Sequence, residues 1–182
     1  MNIFHAHAAG RRLRRSIAVV AVAVVAAVVP VVATTVPASA ATGFTVQLTP
    51  GNTYFLLLDI DGASGSPGAP LIDWGEDGGE NQYFTFRPVG SYYEIVNDYS
   101  QMCLYGDGYA GDGIFQMPCG NDLPQELWAT GLPPDSTQFY WIENPFSGLY
   151  MDVDGDSTSP GTQVIQWYWN GGGNQCFANF IY

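Results

Sequence analysis

Hydrophobic positions in this chain fall into short runs, and none keeps the 3.6-residue spacing of a helix in the part after residue 42. Phe44 to Leu48, Tyr54 to Ile60, Tyr83 to Arg87, Tyr92 to Val96, Phe139 to Ile142, Thr162 to Trp169 and Gln175 to Ile181 are instead rich in aromatic and β-branched residues. Clusters of Gly, Pro, Asn and Asp interrupt these runs every 8 to 12 residues, as turns between strands would. The pattern predicts an all-β domain.

The pattern also recurs. Asp59 to Phe84, DIDGASGSPGAPLIDWGEDGGENQYF, aligns without a gap on Asp152 to Phe177, DVDGDSTSPGTQVIQWYWNGGGNQCF, 93 residues later. A middle copy matches at an offset of 47, with Ile95 over Ile142, Asn97 over Asn144 and Ser100 over Ser147. Three units of about 47 residues, near 44–86, 87–134 and 135–182, fill the chain beyond residue 43. Three like units of about four strands each predict a single β-trefoil, since a propeller of three blades falls below the usual four to eight.

The first 42 residues are different in kind. Arg11, Arg12, Arg14 and Arg15 precede an apolar run from Ile17 to about Ala33, and Ala38-Ser39-Ala40 offers small residues for cleavage. Residues 1–40 therefore read as a secretory signal peptide, leaving one domain at 41–182 that is secreted to the extracellular space. After cleavage no membrane association is expected.

Charge then narrows the chemistry. All 17 acidic residues lie in the mature part, while Arg87 is its one basic residue and both His lie in the leader. One positive against 17 negative charges gives −16, which repels phosphate backbones and makes nucleic acid a poor partner. A domain without His or Lys cannot run a Ser-His-Asp or Cys-His nucleophile, a Schiff base or a His-ligated metal centre. No cofactor and no metal are expected. Of the three cysteines, Cys103 and Cys119 lie 16 apart and read as a disulfide, while Cys176 stands alone as a buried small hydrophobe.

Alternation along Val164 to Trp169 puts Gln166 and Tyr168 on one face and Ile165, Trp167 and Trp169 on the other. The second set reads as the core face, and Trp74, Trp128 and Trp141 likewise read as core. Asp152 stands out between Met151 and Val153. A carboxylate, an amide and an aromatic face on a shallow surface suit a sugar, accepting from its hydroxyls and covering its C–H side.

These residues resemble the ricin B-type lectin repeat. The resemblance rests on Gly148 to Val153, on Gly161 to Tyr168, and on the closing Asn174-Gln175-Cys176-Phe177. Family repeats end in Gln-x-Trp, and the closing motif appears here as Gln82-Tyr83-Phe84, as Gln125-Glu126-Leu127-Trp128 with one extra residue, and as Gln175-Cys176-Phe177. The resemblance implies a β-trefoil lectin binding carbohydrate of galactose or xylan type. It assigns Asp152 as hydroxyl acceptor, Tyr168 as stacking ring, Gln166 at the pocket edge, Asn174 as second hydroxyl partner and Gln175 as buttress of the Asp. The first repeat keeps Asp59, Asn81 and Gln82, but Gly75 falls at the stacking position and Asp73 replaces Gln166, a degenerate site unless Trp74 turns outward. The second has Tyr105 in place of the Asp and Pro118 near the ring position, retaining Gln116, Asn121 and Gln125, and reads as structural.

Three other functions compete. Asp152-Val-Asp154-Gly-Asp156 departs from a calcium loop in the place of its Gly and in Gln163 at the twelfth position. A glycosidase needs only two carboxylates, yet a shallow surface offers little burial to raise one acid's pKa. A trefoil whose amides and aromatics are purely structural, or which contacts other proteins, is the remaining reading. The expectation is a non-enzymatic, monomeric lectin module using chiefly its third repeat.

Overall fold

The computed structural model describes residues 43–120 and 123–179, so the expected signal peptide at 1–40 and Asn121 lie outside the described residues. Each repeat contributes four strands. In the first, β1 (Phe44–Val46) and β2 (Leu48–Pro50) are two halves of one strand, followed by β3 (Leu56–Ile60), β4 (Leu71–Gly75) and β5 (Phe84–Val89). The second supplies β6 (Tyr92–Asn97), β7 (Cys103–Tyr105), β8 (Phe115–Met117) and β9 (Leu127–Gly131). The third supplies β10 (Trp141–Asn144), β11 (Leu149–Val153), β12 (Val164–Trp167) and β13 (Phe177–Asn179).

The outer strands of the repeats form a barrel. Antiparallel pairs run β1–β5, β5–β6, β6–β9 and β9–β10. The Tyr140↔Phe177 bridge then leads to β13, which pairs with β2 and closes the circle. The inner strands of each repeat pair as hairpins, β3–β4, β7–β8 and β11–β12. Bridges Pro70↔Phe115, Ile72↔Gln163 and Gly113↔Ile165 join the hairpins to one another in a ring. This is the threefold β-trefoil that the periodicity predicts.

The core follows the same symmetry. Phe84, Trp128 and Phe177 close the three repeats and are fully buried, as are Leu71, Ile114 and Val164 at the start of each hairpin's second strand. Trp128 Nε1 also donates to the Leu104 carbonyl at 3.1 Å, which satisfies its polar edge inside the barrel. Cys103 and Cys119 are disulfide-bonded with Cα atoms 4.9 Å apart, spanning β7 and the end of β8, and Cys176 is free and half-buried. Trp128 alone among the five tryptophans read as core is fully inside. Trp141 is half-buried, and Trp74, Trp167 and Trp169 are exposed.

Candidate functional site

Two repeats build the same cleft. In the third, β11 and β12 pair Asp152 with Ile165 and Tyr150 with Trp167. Residues directly opposite on an antiparallel pair share a face, so Asp152, Ile165 and, two positions on from Ile165, Trp167 line one surface. They line a cleft of about 440 Å³ with Asn170, Asn174 and the Asp154–Asp156 turn. The tight turn Gly173–Gln175 places two amides under the carboxylate: Asn174 Nδ2 donates to Asp152 Oδ1 and Gln175 Nε2 to Oδ2, both at 2.7 Å. Gln175 is itself held, donating to the Tyr168 carbonyl at 2.8 Å and accepting from Asn170 N at 2.7 Å.

The first repeat matches bond for bond. Asn81 Nδ2 donates to Asp59 Oδ1 and Gln82 Nε2 to Asp59 Oδ2, both at 2.8 Å, and Gln82 also donates to the Gly75 carbonyl at 2.9 Å. Its cleft of about 260 Å³ is lined by Asp59, Ile72, Trp74, Asp77 and Asn81. The predicted trio of each repeat is therefore brought together, Asp152 with Asn174 and Gln175, and Asp59 with Asn81 and Gln82.

The aromatic assignment needs correction. Trp167 and Trp74 are 41% and 45% exposed on the cleft face, whereas Gln166, expected at the pocket edge, is 0% exposed. Gln166 accepts from Gly108 N at 2.8 Å and donates to Ser147 Oγ at 3.2 Å, inside the hairpin cap. Tyr168 is 64% exposed but lies outside the cleft, its ring edge-on to Trp167 at 5.8 Å. The expectation failed because it took apolar rings for core and the amide for surface. Strand parity relative to Asp152 puts Ile165 and Trp167 beside the carboxylate. The missed signal was in the repeat: Trp167 aligns on Trp74, while Tyr168 aligns on Gly75. Trp74 does turn outward, and the first repeat's cleft is complete.

Each ring is backed by a neighbouring repeat. A Cβ on Gly161 would meet Trp74 Cζ3 at 3.3 Å, and one on Gly111 would meet Trp167 Cζ3 at 3.5 Å. Both glycines have positive φ, +87° and +94°, and their N–H groups donate to the Asp73 and Gln166 carbonyls at 2.7 and 2.8 Å. Asp73 occupies the Gln166 position in the first repeat. Its Oδ1 accepts from Thr162 N at 2.9 Å, and its buried Oδ2 has no hydrogen-bond partner among the described residues.

The second repeat is built without a cleft of this kind. Tyr105 stands in the carboxylate's place, tilted onto Phe115 at 5.2 Å, and Met117 stands where the tryptophans stand. Gln116 is buried, donating to the Ser64 and Ser66 carbonyls at 2.8 and 2.9 Å. The turn Pro124–Glu126 superposes in role on Glu80–Gln82 and Gly173–Gln175, so Glu126 takes the buttress position and Gln125 that of the Asn. Glu126 Oε2 accepts from Gly120 N at 2.9 Å, as Gln175 accepts from Asn170 N. The closing motif is thus Glu126-Leu127-Trp128 with no extra residue, and without the Asp no amide donor is required there.

Burial pushes the Asp59 and Asp152 carboxyls up to about 6, against the opposing effect of their amide donors. Burial likewise pushes Asp73 up to about 6. The third cleft also differs from the first in one clamp. Asn52, from the turn after β2, donates through Nδ2 to Asp156 Oδ1 at 3.0 Å and to the Ser157 carbonyl at 2.9 Å, whereas Ala63 stands in the first repeat where Asp156 stands in the third.

A closed barrel with three hairpins, two of them carrying an Asp cradled by Asn and Gln beside an exposed tryptophan, defines a lectin-type β-trefoil. The family described as ricin-type β-trefoil lectin domain-like matches residues 35–113, 92–167 and 124–179, and the chain belongs to that family. Among solved structures it is similar to ThreeFoil, a designed threefold-symmetric protein, at 28% identity and TM-score 0.69 over 76% of this chain and 99% of that one. It is similar to the exo-β-1,3-galactanase 1,3Gal43A of Clostridium thermocellum at 25% identity and TM-score 0.69, over 76% of this chain and 30% of the galactanase. The ricin B-like lectin of Macrolepiota procera, solved with lactose, shares the fold at 22% identity and TM-score 0.64, over 76% of this chain and 95% of that one. Comparison with curated proteins found no match.

Proposed function

We propose that this protein is a secreted lectin that binds neutral carbohydrate non-covalently through two clefts built on the same cradle, in its first and third repeats, and performs no catalysis. The observation that carries the reading is the duplicated Asp-Asn-Gln cradle beside an exposed tryptophan, at 2.7 to 2.8 Å in both repeats. A barrel core does not require that arrangement, since the second repeat folds with Tyr105 and Glu126 instead. In each cleft the carboxylate accepts from sugar hydroxyls, Asn81 or Asn174 completes the polar contact, and the indole of Trp74 or Trp167 covers the C–H face of the ring. Both carboxylate oxygens are engaged by amides, which suits accepting a hydroxyl better than attacking an anomeric carbon. Galactose-type and xylan-type glycans are the ligands to test first, and monosaccharide affinity on the order of millimolar, about −4 kcal/mol, is expected for so shallow a site.

Calorimetric titration of residues 41–182 with galactose and xylose tests this. Trp167→Ala and Trp74→Ala should each halve the stoichiometry, and the double variant should abolish binding with the circular dichroism unchanged. Tyr168→Ala should weaken the third cleft only slightly. Unaltered binding by the double variant, or binding lost only with Tyr168→Ala, would overturn the assignment.

A further inference from the structure

The loop from Asn170 to Gly173 has a cleft on each side. Asn170 and Gly172 face the third-repeat sugar cleft, while Gly171 and Gly173 face a second cleft of about 490 Å³. Trp169, Phe139, Asp135, Ser136 and Cys176 line this second cleft. Its apolar floor is fixed by close packing: a Cβ on Gly51 would meet Phe139 Cε1 at 3.1 Å. Trp169 is 39% exposed, and its ring tilts onto Tyr150 at 5.0 Å, which in turn meets Trp141 edge-on at 5.7 Å.

This aromatic surface is absent from the other repeats. Strand registers place Leu57 and Cys103 at the Tyr150 position, and Glu76 and Cys119 two residues beyond the Trp74 and Met117 positions. The second repeat thus spends these places on a disulfide and the first on a leucine and a glutamate. Cross-strand rings stabilise a sheet wherever they occur. A purely structural pair, however, needs neither a cleft beside it nor exposed indole, and only the repeat with the larger sugar cleft has both. Between the two clefts stand Gly171, Gly172 and Gly173, a ridge without side chains.

We propose that the second cleft binds the next residues of a neutral oligosaccharide whose first residue sits at Trp167, so that the third repeat selects glycan chains over single sugars. The inference rests on the lectin reading of the third cleft. The chain crosses the glycine ridge, its next ring lies on Trp169, and Asp135 and Ser136 meet its hydroxyls. Neutrality follows from charge, because Asp135 at this cleft and Asp154 and Asp156 at the other repel uronate or sulfate groups.

Cys176 supplies a built-in probe, since it is the free thiol while Cys103 and Cys119 are bonded to each other. Its maleimide labelling rate is measured on the mature chain alone, with galactose or xylose, and with galactotriose or xylotriose at saturation. One of the trisaccharides should slow labelling about 10-fold and bind roughly 3- to 10-fold more tightly than its monosaccharide, the increment of one additional stacked ring. Trp169→Ala should remove that increment and leave monosaccharide affinity intact, while Trp169→Phe should restore most of it. Equal affinity for mono- and trisaccharides, with labelling unaffected by either, would overturn the extended groove while leaving the lectin reading standing. No binding of any sugar would overturn both. Should Trp169→Ala fail to fold, the labelling of the wild-type chain decides alone.

Discussion

Lowering the pH from about 7 to about 5 should release sugar from both clefts while making the fold more resistant to unfolding. The Asp59 and Asp152 carboxyls are raised to about 6, chiefly by burial. On the proposed lectin reading each accepts from a sugar hydroxyl, and it does so best when ionised, because a protonated carboxyl presents an O–H where the sugar must donate. A carboxyl with a pKa near 6 is about nine-tenths ionised at pH 7 and about one-tenth at pH 5, so affinity should fall roughly 10-fold over that interval. Stability moves the other way. In the unfolded chain these carboxyls titrate near the ordinary value of 3.8, so between about 4 and 6 the folded state binds more protons than the unfolded one. The fold therefore gains stability as pH falls from about 6 toward 4 and loses it as pH rises through 6. Discounted for residual solvent screening, Asp59, Asp73 and Asp152 should contribute about 1 to 2 kcal/mol each to that gain. Relief of mutual repulsion among the many carboxylates acts in the same direction. Calorimetric titrations at pH 5, 6 and 7 with thermal melts in the same buffers check both halves. Affinity that stays flat from pH 7 to 5, or a melting temperature that falls over that range, would refute the reasoning.

Two further substitutions probe the frame around the clefts. Trp128→Ala removes the largest fully buried side chain and strands the Leu104 carbonyl, so chemical denaturation should show a loss of about 3 to 5 kcal/mol. Asn52→Ala frees the Asp154–Asp156 turn from its clamp, and should weaken sugar binding at the third cleft but not the first. Nuclear magnetic resonance shifts of the Trp167 and Trp74 indole N–H groups would separate the two sites.

Much of the fold was legible because periodicity survives sequence drift. The gapless match of Asp59–Phe84 on Asp152–Phe177 carries the trefoil, and the cradle residues are readable from it since Asp, Asn and Gln recur at fixed spacing. Strand ends were less legible: Gln175, read as the start of a strand, closes a tight turn before β13, because its side chain caps the loop from Asn170. Facing was least legible of all. Gln166 looks like a surface residue, and its burial depends on an N–H from Gly108, 58 residues away, which nothing local announces. Likewise Glu126 reads locally as an insertion, whereas its bond to Gly120 N places it in register with Gln82 and Gln175.

The mutual backing of the hairpins bears on the order in which the protein can become active as it emerges from synthesis. The first cleft is encoded earliest, yet the Gly161 and Thr162 backbone that supports Trp74 and Asp73 lies 87 to 89 residues downstream. The third cleft leans on Gly111, already made when its own residues appear, but its clamp comes from Asn52 at the other end. The first site should therefore wait for Gly161 and Thr162, and the third for its own Asn174 and Gln175. A nascent fragment holding the first two repeats would display Trp74 without its support, and binding competence should arrive in one step when β13 docks on β2.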